Sequence, residues 1–281
     1  MLNDIPELLP DYEMPFNACT NTHQTITNFI KLLIMNMKRN LLSGIFILTI
    51  VFGINNANNG FPSSDQETGS ITVKKCQDFR ITGDGSSDTW KRTEWVTLAQ
   101  QGSIINAYST KVKVLYSETG IYFLFHCGDE KLTTTMKADN LNLWEEDVVE
   151  VFLWTGEDFP VYFEYEISPL NYELPIMVPN YKGSFLGWLP WHYEGDRKVQ
   201  HATSTVGGEK TGGSIVSAWI AEFFIPFKLL APLPEVPPVS GTKWRANMYR
   251  IDYDHGSMRF MWQKINKNFH DYNNFGTFIF E

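Results

Sequence analysis

The chain has little cysteine, little positive charge and no long apolar run. Three cysteines in 281 residues cannot build a disulfide scaffold, and their spacing is not that of a zinc site. Lysine and arginine number 23 against 32 aspartates and glutamates, giving a formal net charge of −9 without any basic stripe. That argues against nucleic acid as a partner. The apolar run LLSGIFILTIVFGI, residues 41–54, falls short of the ~20 residues a membrane-spanning helix needs. The histidines are scattered without an HExxH pair, and no Ser/His/Asp arrangement follows from spacing. Hardly any segment holds a helical period; the two short candidates are DTWKRTEW and PFKLLAPL.

Aromatics are what the chain has in quantity. Twenty phenylalanines, twelve tyrosines and nine tryptophans favour strands over helices. With 43% apolar residues there is ample material for a core.

Lys38 and Arg39 before the apolar run, and Ala57 after it, have the form of a basic n-region, an h-region and a peptidase site. A signal peptide over residues 35–57 is therefore expected, with residues 1–34 an over-extended N-terminus outside the fold. An uncleaved anchor helix is the alternative. No cysteine follows the h-region, which argues against a lipoprotein anchor. The mature protein is expected to be secreted or periplasmic, with no membrane span. Cys19 lies in the removed part; Cys76 and Cys127 then form one disulfide or remain two buried thiols.

Residues 58–70, polar and without periodicity, are expected to form a flexible leader. From Ile71 the text alternates strand and turn. KVKVLYS and GIYFLFHCGD flank a Ser-Glu-Thr-Gly turn, and HATSTV and SIVSAWIAEFFI flank GGEKTGG. KWRANMYRIDYD and SMRFMWQKI flank a turn at His255–Gly256, and GTFIFE closes the chain. The expected fold is all-β: one domain over residues 71–281, an antiparallel two-sheet β-sandwich of jelly-roll or immunoglobulin-like kind.

The hairpin LWEEDVVEVFLW and VYFEYEIS carries the chemistry. Alternation sends Val149, Val151 and Leu153 one way, and Val148, Glu150 and Phe152 the other. Phe163, Tyr165 and Ile167 likewise oppose Tyr162, Glu164 and Glu166. One face therefore mixes three carboxylates with aromatic rings. Acids accept hydrogen bonds from hydroxyls and rings cover the C–H face of a sugar, so the expected partner is a glycan or oligosaccharide. Glu150 must be answered by solvent, a cation, or Arg245 or Arg250 of the WRANMYR strand.

LWEEDVVEVF, WIAEFFIPF at 219–227, WRANMYRID at 244–252 and FHDYNNFG at 269–276 resemble, in order, the signatures of carbohydrate-binding module family 9. ITGDGSSDTW at 81–90 resembles that family's start, and the likeness spans residues 72–281. The resemblance implies a β-sandwich that binds glycan without transforming it, often beside glycoside hydrolases. It implies a clamp in which Trp144 and Phe269 are the rings, with Glu150 and Asn266 reading hydroxyls. The arginine expected on the second hairpin strand falls on or near Glu166, which removes a donor fork and adds negative charge. The family's glycan preference therefore does not carry over.

Trp188 and Trp191, in the loop GWLPWHYEG, either widen a sugar platform or fold back as a lid. Trp219, Trp244 and Trp262 read as core. GGEKTGGS departs from phosphate-loop spacing and reads as a hairpin turn. DYDHG, with Asp252 and Asp254, is a candidate structural calcium site lacking the distal bidentate acid; no other cofactor is expected. Two further readings stay open. One is a glycoside hydrolase acting through the paired carboxylates. The other is a haem-binding sandwich with axial ligands among Met248, Met258 and His270.

Overall fold

The computed structural model describes residues 69–101, 108–182 and 184–281, all within one compact unit, Ser64–Glu281. Residues 1–34, the expected signal peptide over 35–57, nearly all of the 58–70 leader and Cys19 lie outside the described residues. Among the described residues no helix is long and apolar enough to cross a membrane.

The chain enters through β1 (Ser70–Lys75), β2 (Val96–Gln101), β3 (Thr110–Tyr116) and β4 (Gly120–Gly128). It continues through β5 (Val148–Trp154), β6 (Val161–Ile167), β7 (Glu173–Tyr181), β8 (Ser184–Phe185), β9 (Leu189–Pro190) and β10 (Gln200–Val206). β11 (Ala218–Pro226) leads into the one-turn helix α1 (Phe227–Leu230), and β12 (Lys243–Asp252), β13 (Met258–Met261) and β14 (Gly276–Phe280) complete the fold. One sheet runs β10–β11–β4–β3 and the other β14–β12–β5–β6–β7, antiparallel throughout. β1 lies parallel to both β14 and β3, and β2 pairs with β3 and β13, so these two strands join the sheets.

Odd-numbered residues of β5 and β6 meet the second sheet, as alternation requires. Val149, Val151, Leu153, Phe163, Tyr165 and Ile167 share one core with Phe123, Phe125 and Phe223. Trp219 and Trp244 are fully buried there, and Trp262 packs against its margin. The fold is thus the expected β-sandwich. The even-numbered face of β5 and β6 is covered instead by loops, in a separate cluster that includes Leu143, Phe152, Tyr162 and Phe275.

All of the expected hairpins form. The tight Ser117–Gly120 turn needs its glycine, because a Cβ at Gly120 would lie 2.3 Å from the Phe224 ring. DTWKR is a 3-10 turn over Asp88–Arg92. β7 is the long strand that the pattern does not announce: Pro175 and Pro179 read as breakers, yet both sit within the strand.

Two buried charges tie the loops down. Glu222, on the outer face of β11, accepts from the backbone N–H of Thr82 (2.9 Å) and Gly83 (2.7 Å) and from Trp90 Nε1 (2.8 Å). Gly83, at φ 85°, lets the ITGDG segment curl its amides around that carboxylate. Arg250 is fully buried and points into the inter-sheet layer, where Nη1 donates to Gly128 O at 2.6 Å and Nη2 to Asp129 Oδ2 at 3.0 Å and to Asp252.

Of the two alternatives for Cys76 and Cys127, the disulfide is corrected and the pair of buried thiols is observed. Cys76 donates to Tyr116 O at one end of β3, whereas Cys127 pairs with Thr110 at the other. Six strand residues separate those ends by about 20 Å, far beyond disulfide reach. Both cysteines are free, buried thiols.

Glu222→Ala removes the acceptor of the Gly83 amide and the Trp90 indole, both buried, and of the part-buried Thr82 amide, and is expected to destabilise the fold by about 3 kcal/mol in denaturant titration. A loss within about 0.5 kcal/mol, the range of ordinary surface changes, would mean that water replaces the carboxylate freely.

Candidate functional site

The register of the β5–β6 hairpin gathers the three glutamates. Glu150 stands opposite Glu166, and Phe152 opposite Glu164. Tyr249 of β12 flanks Glu150, and Leu174 and Ile176 of β7 flank the other two. The three acids are 2%, 4% and 1% exposed in the order Glu150, Glu164, Glu166. Like charges directly opposite on a sheet destabilise it, so this arrangement costs the fold something.

A cavity of about 330 Å³ opens over these carboxylates. A 3-10 turn at Leu143–Glu145 places Trp144 on its wall, and Tyr253 holds that turn by donating to Trp144 O at 2.6 Å. Trp188 meets Trp144 edge to face, with centroids 6.2 Å apart. The segment Asn268–His270 forms another part of the wall. There Phe269 stacks on Tyr249 at 4.0 Å, and the Tyr249 hydroxyl donates to Phe269 O. Arg259 of β13 contributes a guanidinium 5.8 Å from the Phe269 ring. His270 stacks on Phe185 at 4.2 Å, and its Nδ1 lies 2.5 Å from the Tyr162 hydroxyl.

The carboxylates are under-satisfied. Glu150 Oε1, Glu164 Oε2 and Glu166 Oε2 are buried without a hydrogen-bond partner. His270 Nδ1 is 3.8 Å from Glu164, beyond hydrogen-bond reach. Burial pushes Glu164 up to about 8. Burial and the neighbouring carboxylates hold Glu150 and Glu166 well above the ordinary range, and Arg259 partly offsets this at Glu150. Burial pushes His270 down to about 4, so it is neutral at pH 7.

Of the expected residues, the structure brings Trp144, Glu150, Glu166, Trp188 and Phe269 to one cavity. It does not bring Asn266, which is exposed and contributes only its backbone N–H to Asp271 (2.9 Å); Asn268, two residues on, lines the wall instead. Trp191 folds back, donating from Nε1 to Leu229 O and packing against the inter-sheet core. Neither expected arginine answers Glu150. Arg250 lies on the opposite face of β12, because the residue opposite Glu150 is Tyr249, and Arg245 turns to Phe275 O and Glu157. Residues missed by sequence reasoning include Arg259, Asn268 and Phe185. Only the Ile251–Arg259 register, which needs the β12–β13 hairpin in space, gives a signal for Arg259.

Asp252 and Asp254 join Asp129 in a group whose ligand oxygens lie within 4.8 Å of one another. All six oxygens already accept hydrogen bonds, from Arg250, Thr133, Tyr108 and the backbone N–H of Lys131 and Asp254. Calcium prefers six to eight oxygen ligands, whereas this group closes on an arginine. The haem candidates do not converge: Met248 and Met258 sit in the inter-sheet core, and His270 lies on the cavity face.

Glu164 binds its proton near pH 8 when folded, against an ordinary 4.5. The folded state then holds a proton that the unfolded chain releases, so stability falls as pH rises between those values. Thermal melts of the ligand-free protein should give a lower Tm at about pH 8 than at about pH 5.5, and Glu164→Gln should flatten that slope. An unchanged slope in the variant would mean that water reaches the carboxylate.

The family pattern described as carbohydrate family 9 binding domain-like matches residues 81–281. Solved structures share the fold. A candidate carbohydrate-binding protein from Bacteroides uniformis superposes with a TM-score of 0.63 at 16% identity, covering 76% of this chain and 100% of that one. A family 9 carbohydrate-binding module from Caldicellulosiruptor kristjanssonii in complex with cellotriose gives 0.54 at 16% identity, covering 76% and 94%. Its complex with glucose gives 0.53 at 15%, covering 76% and 96%. No curated protein sequence matches. With the family pattern spanning most of the chain, this protein belongs to the carbohydrate family 9 binding domain-like family.

Proposed function

We propose that the protein binds a glycan, without transforming it, in the cavity between Trp144 and the Asn268–His270 segment. The observation that carries this reading is the convergence of aromatic rings and hydrogen-bonding carboxylates on one cavity in a family 9 fold. Its volume of about 330 Å³ suits one or two sugar rings rather than a buried polymer. Trp144 and Trp188 supply ring surface for the C–H face of a sugar, and Asn268 with the carboxylates reads hydroxyls. The basic and apolar segment at 38–54 supports export, and the family resemblance supports a role beside glycoside hydrolases.

A glycan array followed by calorimetry tests this. Saturable binding to one glycan class should weaken by about tenfold or more in Trp144→Ala, as for an aromatic anchor at an interface centre. Affinity unchanged in Trp144→Ala, or no binding to any glycan, would overturn the reading. The bound oligosaccharide should be recovered intact; shorter products lost on Glu150→Gln would instead make the protein a glycoside hydrolase.

A further inference from the structure

We infer that the sugar bound in this cavity carries a free, protonated amino group, which Glu150, Glu164 and Glu166 receive together. The inference rests on the carbohydrate-binding reading and sharpens it to amine-bearing glycans, such as oligosaccharides of 2-amino-2-deoxy sugars.

The hydrogen bonding of the cavity floor is incomplete, and its three acids are held protonated by burial. Three carboxylates at least 96% buried share the floor, each with an oxygen that no protein group reaches. The lining offers one cation, Arg259, which is exposed and lies by Phe269. The remaining polar neighbours do not compensate: His270 is neutral, and Tyr162 and Tyr249 are engaged with His270 and with Asn247 and Phe269. A neutral sugar hydroxyl donates one proton and brings no charge, so it gives these acids no reason to ionise. An ammonium group brings a unit charge and three donors, one for each glutamate. The neighbouring rings suit the same ligand, since Trp144 and Trp188 attract a cation to their faces while covering sugar C–H groups.

Two other occupants fit less well. An acidic glycan would meet three carboxylates with only Arg259 in its favour. A bare metal ion needs its ligand oxygens close together; among the described residues the three-acid group that meets a 4.8 Å spacing is Asp129, Asp252 and Asp254, not the glutamates. The glutamate floor is therefore spread more widely than a metal site and fits a polyatomic cation.

The test is calorimetry of the purified protein with a glucosamine oligosaccharide, its N-acetylated counterpart and a cello-oligosaccharide of equal length, in two buffers of different ionisation enthalpy. The amine-bearing ligand is expected to bind about tenfold or more tighter than the other two, as close charge pairs allow. Binding should also release protons near pH 7, because the glutamates must ionise to receive the ammonium. In Glu166→Gln, and independently in Glu164→Gln, that preference should fall to about threefold or less. Both changes keep side-chain shape and replace an acid that is held protonated in the ligand-free fold, so the variants should fold. Equal or tighter binding of the neutral or acetylated ligands would overturn this inference and leave the carbohydrate-binding function standing. Absence of binding to these and to every other glycan would overturn both.

Discussion

Three carboxylates on one buried sheet face are the constraint around which this protein is arranged. Strand alternation fixes them there: the residues of β5 and β6 that fill the inter-sheet core force Glu150, Glu164 and Glu166 onto the other face. That face could have been left to solvent, which would have satisfied the acids cheaply. Instead the turn carrying Trp144, the β8–β9 segment and the Asn268–His270 segment cover it. The cover turns a wet polar face into a confined cavity where charge is expensive.

The other buried charges show that the fold can satisfy carboxylates when it needs to. Glu222 is ringed by backbone amides and an indole N–H, and the Asp129, Asp252 and Asp254 oxygens all have donors, two of them served by Arg250. Those networks hold loops against sheets. In the glutamate cluster Glu166 meets Glu164 and the Trp144 backbone N–H, yet each of the three acids keeps a buried oxygen without a partner, which is costly unless a group from outside supplies one. Its cost therefore points to a ligand rather than to stability.

Much of this was legible in the sequence wherever a period exists. The VVEVFL and YFEYEI alternations placed each glutamate on the correct face and Val149 and Val151 in the core, because a strand allows only two directions. Trp144 was legible through the family 9 resemblance of LWEEDVVEVF, which places it as a ring just before the hairpin. Loops have no such period. Asn266 and Asn268 differ by two residues in an irregular segment, and only three-dimensional hydrogen bonding, with Asp271 drawing in the Asn266 N–H, decides which amide faces the cavity. Trp188 and Trp191 diverge for the same reason, one edge-on to Trp144 and the other tied to Leu229. Arg250 and the cysteines depended on register between strands distant in sequence. Parity relative to Glu150 and position along β3 become defined only when β12 and β4 have paired.

The most direct measurement is a carbon-13 NMR titration of the glutamate carboxyl groups in the ligand-free protein. A carboxyl resonance with a midpoint near 8, absent in Glu164→Gln, is expected of an uncompensated buried cluster. If every glutamate instead titrates near the ordinary value of about 4.3, the cavity floor is hydrated or internally paired, and the case for a charged ligand collapses.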